Sequence, residues 1–267
     1  MKEYKIGIMG VGMVGGATAR YFESKGIKPI LYDPPRGLDS KEEINKAEII
    51  FVCVPTPYDE AKGGFDLSYV RQALSIINGE KIIVLKSTIL PGSTEAIQTE
   101  FPNHKILFNP EFLTESTADQ DMCYPDRQIV GYTEKSFNVA KDVMLILPLA
   151  PFERIVPAKV AELVKYFNNT WFSTKVIFAN QVYDVCEKLN ADYDLIAECA
   201  SADKRVGPSH LQVFHKGYRG YGGKCLPKDT RAFIQLGNRL GVDLKLLKTV
   251  EDINNELITK QGLKEKP

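Results

Sequence analysis

The chain has 267 residues, enough for two domains of ordinary size around a substantial core. Its 34 Lys plus Arg are balanced by 34 Asp plus Glu, so no charge excess points to nucleic acid or an anionic membrane surface as a partner. No apolar run reaches the length of a bilayer span, and the first ten residues, MKEYKIGIMG, lead directly into a strand pattern without room for a signal peptide.

The five cysteines, Cys53, Cys123, Cys186, Cys199 and Cys225, form no C-x-x-C pair, which is neither a zinc pattern nor a disulfide framework, and no metal is expected. A reducing cytoplasm is the compartment this usage fits.

Taken in order, Tyr4 to Met9 is a short β run, followed by Gly10, Gly12 and Gly15 in G-x-G-x-x-G, a helical stretch to about Lys25, and a strand from Pro29 to Tyr32 that ends at Asp33. Strand, glycines, helix, strand and a terminal acid form the dinucleotide-binding fingerprint. Gly10, Gly12 and Gly15 serve the tight turn and the backbone approach to the pyrophosphate. Met13 and Val14 open the helix whose N-terminus receives the negative charge, and Asp33 faces the ribose hydroxyls. A carboxylate there disfavours the 2′-phosphate of NADP, so the expected cofactor is NAD. Arg36 is the one feature in favour of NADP.

Glu48 to Val54 reads as a third strand, buried on both faces as parallel strands are. A loop from Tyr58 to Phe65, a helix from about Leu67 and a strand from Lys81 to Leu85 follow. KSTILPGST comes next, where Ser87, Thr88 and Pro91 stand ready to cap a helix near Ser93, a role compatible with ligand contact. The strand Lys105 to Phe108 delivers NPEFLTES, in which Glu111 and Glu115 flank Phe112 and Leu113. That setting implies partial burial and a tunable pKa. Lys135 to Leu147 is helical, and Glu153 to Val156 closes a first domain, residues 1–156, of Rossmann type.

From Pro157 to about Asn190 there is no glycine or internal proline, and apolar residues recur at helical spacing. This predicts one helix of about 50 Å, opened by Pro157 in its first turn, and apolar on more than one face. It is long enough to link the two halves and to serve as a dimer surface. Lys165 and Asn169 are four apart on it and share a face. Asp192 to Ser201 is a short helix, and two more, Asp229 to Leu240 and Leu244 to about Lys260, complete a helical second domain, residues 157–267. The last seven residues, QGLKEKP, read as a frayed tail.

Between these helices lies GYRGYGGKCLPKDT, Gly217 to Thr230. Cys225 follows a pair of glycines and precedes Lys228 and Asp229, at a predicted helix start. A cysteine just before a helix N-terminus and beside a lysine is expected to have a lowered pKa and to be nucleophilic. Gly220, Tyr221, Gly222, Gly223, Cys225, Lys228 and Asp229 resemble the G-[FY]-G-G-x-C-x-x-K-D signature of the nucleotide-sugar 6-dehydrogenases, the UDP-glucose and GDP-mannose dehydrogenase family.

Five more segments resemble that family in order: the glycine loop, S-T-x-x-P-G-[ST] at Ser87 to Ser93, P-E-F-L-x-E at Pro110 to Glu115, A-E-x-x-K-x-x-x-N at Ala161 to Asn169, and D-x-R-[IV]-G at Asp203 to Gly207. Thr114 stands where many members carry arginine. The resemblance implies that Cys225 carries the sugar as a thiohemiacetal and then a thioester, that Thr88 lies near the nicotinamide and the reacting carbon, and that Glu111 and Glu115 lie at the catalytic centre. By the same resemblance Lys165 and Asn169 stabilise the oxyanion, Asp229 orients water with Thr88, Glu111 assists deacylation as a base, and Lys228 contacts the cofactor. Phe112, Leu113, Tyr221 and Gly222 line the sugar, and Arg205 reaches the sugar in the neighbouring subunit of a homodimer.

Family members continue into a third domain that holds the nucleotide half of the substrate, and the chain is expected to lack it. Two other readings stand beside oxidation of UDP-glucose: a two-electron hydroxyacid dehydrogenase of the 6-phosphogluconate type, which needs no covalent sulfur, and a non-catalytic NAD binder.

Overall fold

The structure is a computed structural model that describes residues 3–59, 61, 64–223 and 225–263. The chain divides into two compact units, Met1–Lys165 and Tyr166–Pro267.

The first unit begins with β1 (Ile6–Met9), α1 (Met13–Ser24), β2 (Ile30–Tyr32), the short α2 (Lys41–Ile44) and β3 (Ile49–Val52). A small ribbon follows, β4 (Tyr58–Asp59) with β5 (Gly64–Phe65); Glu60, Lys62 and Gly63 of the expected loop lie outside the described residues. Next come α3 (Ser68–Ser75), β6 (Ile82–Leu85), α4 (Ser93–Glu100), β7 (Lys105–Phe108), α5 (Ala118–Cys123), β8 (Arg127–Tyr132), α6 (Ala140–Ile146) and β9 (Phe152–Pro157). The expected helix at Lys135 to Leu147 is two pieces, a 3-10 segment Glu134–Val139 followed by α6. Thr133 and Ser136 cap the 3-10 segment reciprocally, which sets a start that apolar spacing does not reveal.

Seven strands form one sheet in the order β2-β1-β3-β6-β7-β8-β9. All neighbours are parallel except β7 and β8. Side chains alternate between the faces of a strand, and both faces are covered: Ile49 and Phe51 join the core with Ala17 and Phe22, whereas Ile50 and Val52 join that with Val70 and Leu74. The chain runs outward from β1 first to β2 and then, in the other direction, to β3. The crevice beyond the ends of β1 and β3 is therefore the switch point at which such sheets bind ligands.

The long helix, α7, spans Ala158–Leu189 as one element of 32 residues, and the boundary between units falls within it. Pro157 does not open the helix as expected; it is the last residue of β9, in register with Tyr132. The rigid φ of proline suits a strand end followed by a helix start.

The second unit continues with α8 (Tyr193–Ser201), a ribbon of β10 (Phe214–His215) and β11 (Tyr218–Arg219), α9 (Leu226–Arg239) and α10 (Lys245–Lys260). Its core gathers Val176, Ile177, Tyr221 and Val250 in one cluster and Ala179, Cys186, Tyr193 and Val213 in another. Helix α9 starts three residues before the expected Asp229, with Pro227 in its first turn and Cys225 at its N-cap. Gln261, expected in a frayed tail, caps the end of α10 and bonds the backbone of Arg219. Lys264 to Pro267 of that tail lie outside the described residues.

Candidate functional site

The glycine loop meets the test for a dinucleotide. A Cβ on Gly15 would lie 1.9 Å from the carbonyl oxygen of Gly10, and one on Gly10 would lie 2.8 Å from that of Cys53. These positions hold α1 tight against the sheet, with Gly10 at φ +84°. A Cβ on Gly12 would meet nothing within 4 Å, so packing does not require glycine there and its backbone is open to close approach. Met13, 40% exposed, and Val14 form the first turn of α1. Asp33, at the end of β2, accepts a 2.7 Å bond from the Val11 N–H through Oδ2. The Arg36 Nε stands 3.5 Å from the same oxygen. Backbone donors at a helix N-terminus beside a strand-end carboxylate are what a pyrophosphate and a ribose require.

Deeper in the same unit, the ends of β3, β6 and β7 converge on buried polar groups. Lys165 Nζ donates to Glu111 Oε1 at 2.7 Å and to the Glu111 carbonyl at 2.8 Å, and both side chains are buried. Burial drives the Glu111 carboxyl up, but the Lys165 charge and hydrogen bond, the Leu113 N–H and the Lys86 charge together outweigh it, leaving the group below its ordinary value. The Leu113 N–H reaches Glu111 Oε2 at 2.9 Å. The ring of Phe112 has Arg127 4.0 Å and Lys165 5.9 Å from its centroid. Glu115 is exposed, and Thr88 is half-buried with its carbonyl accepting from Thr56 Oγ1 at 2.7 Å.

Three groups here were missed by the sequence reading. Lys86 is buried and donates to Asn109 Oδ1 at 2.6 Å, while Asn109 Nδ2 donates onward to Gln128 Oε1 and the Ile129 carbonyl. Burial pushes Lys86 down and pushes the neighbouring Cys53 thiol up to about 12. A lysine directly after a run of four apolar residues was the available signal.

The third is Glu162, fully buried, whose carboxylate accepts from the Gly92 N–H at 2.6 Å, the Thr94 N–H at 2.8 Å and Thr94 Oγ1 at 2.6 Å. This corrects the expected cap of α4. Ser87 and Thr88 do not cap it; Ser87 Oγ donates to the Val54 carbonyl at 2.6 Å, and a glutamate 68 residues away takes the orphan N–H groups.

In the second unit, Cys225 is exposed at the N-cap of α9, and its carbonyl accepts from the Asp229 N–H at 3.0 Å. Asp229 is fully buried. Its Oδ2 takes a 2.5 Å bond from Asn169 Nδ2, and its Oδ1 lies 2.5 Å from Lys228 Nζ. The unit thus brings together Asn169, Lys228 and Asp229, one turn along α9 from the cysteine. Tyr221 is buried, and burial raises its hydroxyl pKa; Gly222 is half-buried after it. Arg205 lies on the surface with its side chain 90% exposed, held 2.6 Å from Asp203. Lys175, buried on α7, supports this loop by donating to the Val206 carbonyl at 2.9 Å.

Two family models match the chain: the NAD binding domain of the UDP-glucose/GDP-mannose dehydrogenase family over residues 37–145, and the central domain of the same family over residues 159–256. The chain belongs to this family. NAD is the cofactor its first unit is built to hold.

The UDP-glucose 6-dehydrogenase of Rickettsia bellii is 35% identical over 225 residues, 80% of this chain and 51% of that protein. The chain spans about half the length of the curated relatives it matches. Among solved structures, a UDP-glucose dehydrogenase from Pyrobaculum islandicum superposes with a TM-score of 0.80 at 27% identity, covering 98% of this chain and 72% of that one. A Mycobacterium tuberculosis 3-hydroxyisobutyrate dehydrogenase shares the fold at 15% identity, TM-score 0.75, covering 99% of this chain and 97% of that one.

Proposed function

We propose that this chain carries out the NAD-dependent, two-step oxidation of the C6 hydroxyl of a nucleotide sugar, UDP-glucose to UDP-glucuronate, through a covalent intermediate on Cys225. The observation that supports it most is an exposed cysteine at a helix N-cap, one turn before a fully buried aspartate bonded to Asn169 and Lys228. NAD would accept one hydride in each oxidation, the reduced cofactor being exchanged for a second NAD between them.

The chain's residues do the rest. The Cys225 thiolate adds to the C6 aldehyde and gives a thiohemiacetal, whose carbon again bears a transferable hydrogen. The second oxidation leaves a thioester, which water hydrolyses. Lys165 and Asn169, one turn apart on α7, stabilise the oxygen that becomes negative in each tetrahedral species. Glu111, held ionised by Lys165, is the base for deacylation. Asp229 and Thr88 orient water, and Lys228 serves the cofactor. Phe112, Leu113, Tyr221, Gly222 and Glu115 belong to the sugar's surroundings, and Arg205 acts on the sugar held by a second copy in a homodimer built on α7. The compartment is the cytoplasm. Among the described residues no helix is long and apolar enough to cross a membrane.

The test is NADH yield and intact mass across a panel of UDP- and GDP-sugars. Two NADH per sugar are expected; one per sugar selects the two-electron hydroxyacid reading, and binding of NAD without turnover selects the non-catalytic one. Cys225→Ser accumulates sugar as a slowly hydrolysed ester, and Cys225→Ala stops at the reversible first oxidation. A Cys225→Ala protein that still makes two NADH per sugar at the normal rate removes the covalent route.

A further inference from the structure

The segment that enters the cysteine loop is bonded on an edge where no strand lies. β11 pairs with β10 through Phe214 with Arg219 and His215 with Tyr218. Toward α10, the Arg219 N–H donates to Gln261 Oε1 at 2.8 Å and the Arg219 carbonyl accepts from Gln261 Nε2 at 3.1 Å. Two residues on, the Tyr221 N–H donates to Asn254 Oδ1 at 2.7 Å and its carbonyl accepts from Asn254 Nδ2 at 3.0 Å. Each carboxamide thus presents one acceptor and one donor to a single residue's backbone, as a neighbouring strand would.

The spacing explains why two amides suffice. Residues two apart span at most about 7 Å, and Arg219, at the end of β11, and Tyr221 beyond it both turn their backbone N–H and C=O toward α10. Residues seven apart on a helix share a face about 10.5 Å apart, and the flexible amide arms absorb the difference. Between the two clamped residues Gly220 sits at φ +88°, and a Cβ there would lie 2.6 Å from Asn254 Oδ1. Only glycine admits the amide this close. The flanks are fixed as well: the Arg219 guanidinium bonds Asn180 on α7 at 3.0 Å and Asp184 at 2.7 Å, and the Tyr221 ring is buried with Val250, Ile253 and Leu257 of α10.

We propose that α10 is the template that sets the position of the cysteine, with Asn254 and Gln261 as positioning residues. They fix the backbone of Arg219 and Tyr221, the latter four residues before Cys225 at the N-cap of α9. The proposal rests on the reading of Cys225 as the nucleophile only for its value to catalysis. The geometry it describes can be tested on the thiol alone.

The experiment follows iodoacetamide alkylation of each cysteine by mass spectrometry across pH, with exposed Cys199 as internal reference, in Asn254→Ala, Asn254→Asp and Gln261→Ala. An N-cap thiol is more reactive near neutral pH than a thiol freed from the helix end. Asn254→Ala is expected to slow Cys225 about tenfold at neutral pH, the effect of about one unit in the midpoint of its rate–pH curve, while Cys199 is unchanged. Asn254→Asp, which keeps the acceptor for the Tyr221 N–H and loses the donor to its carbonyl, falls between. Gln261→Ala, at an exposed position, gives a smaller shift of the same sign and remains available if Asn254→Ala does not fold.

In turnover, kcat falls while the KM for NAD stays constant. Cys225 alkylation that is unchanged or faster in folded variants overturns the proposal. A slowed thiol, in a protein whose Cys225→Ala variant still oxidises sugar fully, leaves the clamp standing and removes the covalent function.

Discussion

Two buried glutamates in the first unit face opposite electrostatic problems, and the sign of each follows from its partners. Glu111 has a lysine at 2.7 Å, and its folded-state value lies below the ordinary 4.5. Its contribution to stability is fully present above that ordinary value and is lost as pH falls through the lower folded one. Glu162 is bonded by the neutral donors of Gly92 and Thr94, and its burial outweighs them, so its value is raised above 4.5. The contribution of Glu162 is present below pH 4.5 and declines as pH rises through the folded value. Melting temperature measured against pH should therefore lose its steep acid limb in Glu111→Gln and lose a descending slope above pH 4.5 in Glu162→Gln. Lys165→Met, which leaves Glu111 buried without its cation, is expected to cost about 3–5 kcal/mol at neutral pH; a loss under 1 kcal/mol by denaturant unfolding would show that the pair is not load-sharing in the fold.

Selectivity for the cofactor is also decided at single residues. Asp33 accepts the Val11 N–H, and on the proposed reading of this loop its carboxylate would meet a 2′-phosphate as a like charge. Titration calorimetry is expected to show NAD bound in preference to NADP, with Asp33→Asn narrowing the difference; equal affinities in the unaltered chain would assign the dominant influence to Arg36.

At the scale of elements, the glycine loop separates what folding needs from what the cofactor needs. Gly15 has no room for a Cβ, whereas Gly12 has open space. Gly12→Ala is expected to keep the melting temperature within about 1 °C, since its effect on the fold stays within the few tenths of a kcal/mol usual at an open site, yet to weaken NAD binding at least about tenfold because the methyl stands in the pyrophosphate's approach. Normal NAD affinity in that variant would move the pyrophosphate away from this loop.

The contrast also shows which elements were legible in the sequence. The β1–α1–β2 unit and the placing of Cys225 shortly before a helix are local patterns, spelled out within about a dozen to thirty residues. Helix α7 was legible because 32 residues without a break leave little alternative. What escaped depended on partners far along the chain: Glu162 capping α4, Lys86 bonded to Asn109, and Asn254 paired with Tyr221. In each case a polar side chain is buried against all expectation from its type, and only the tertiary partner makes that affordable. The antiparallel direction of β8 and the three residues by which α9 starts ahead of Asp229 have a related cause. Register and capping are fixed by contacts between elements, not by periodicity within one.

At the scale of the whole molecule, α7 carries an apolar stripe that the chain itself leaves in solvent. Val160, Leu163, Phe167, Trp171, Phe178, Val185 and Leu189 recur at intervals of three, four or seven, and Phe167, Trp171 and Phe178 are 71%, 53% and 63% exposed. From Val160 to Leu189 these positions follow about eight turns of 3.6 residues and so keep to one side of the helix along its length, as in helices that pack against a partner. Each large side chain so covered contributes about 1.5–3 kcal/mol, before the cost of association is subtracted. Isolated exposed leucines need no explanation, but a continuous stripe of this kind marks an interaction surface. Sedimentation at micromolar concentration is expected to give a dimer, and the double substitution Trp171→Glu, Phe178→Glu a folded monomer, because it places like charges in the seam without touching the buried face of α7. If the dimer pairs these stripes, the monomeric variant should also lose turnover while retaining NAD, since Arg205 can then no longer act on a neighbour's sugar. A monomer in the unaltered chain would remove both the dimer and that role. A dimer that survives the double substitution would place its interface on another face, and only the role of α7 would fall.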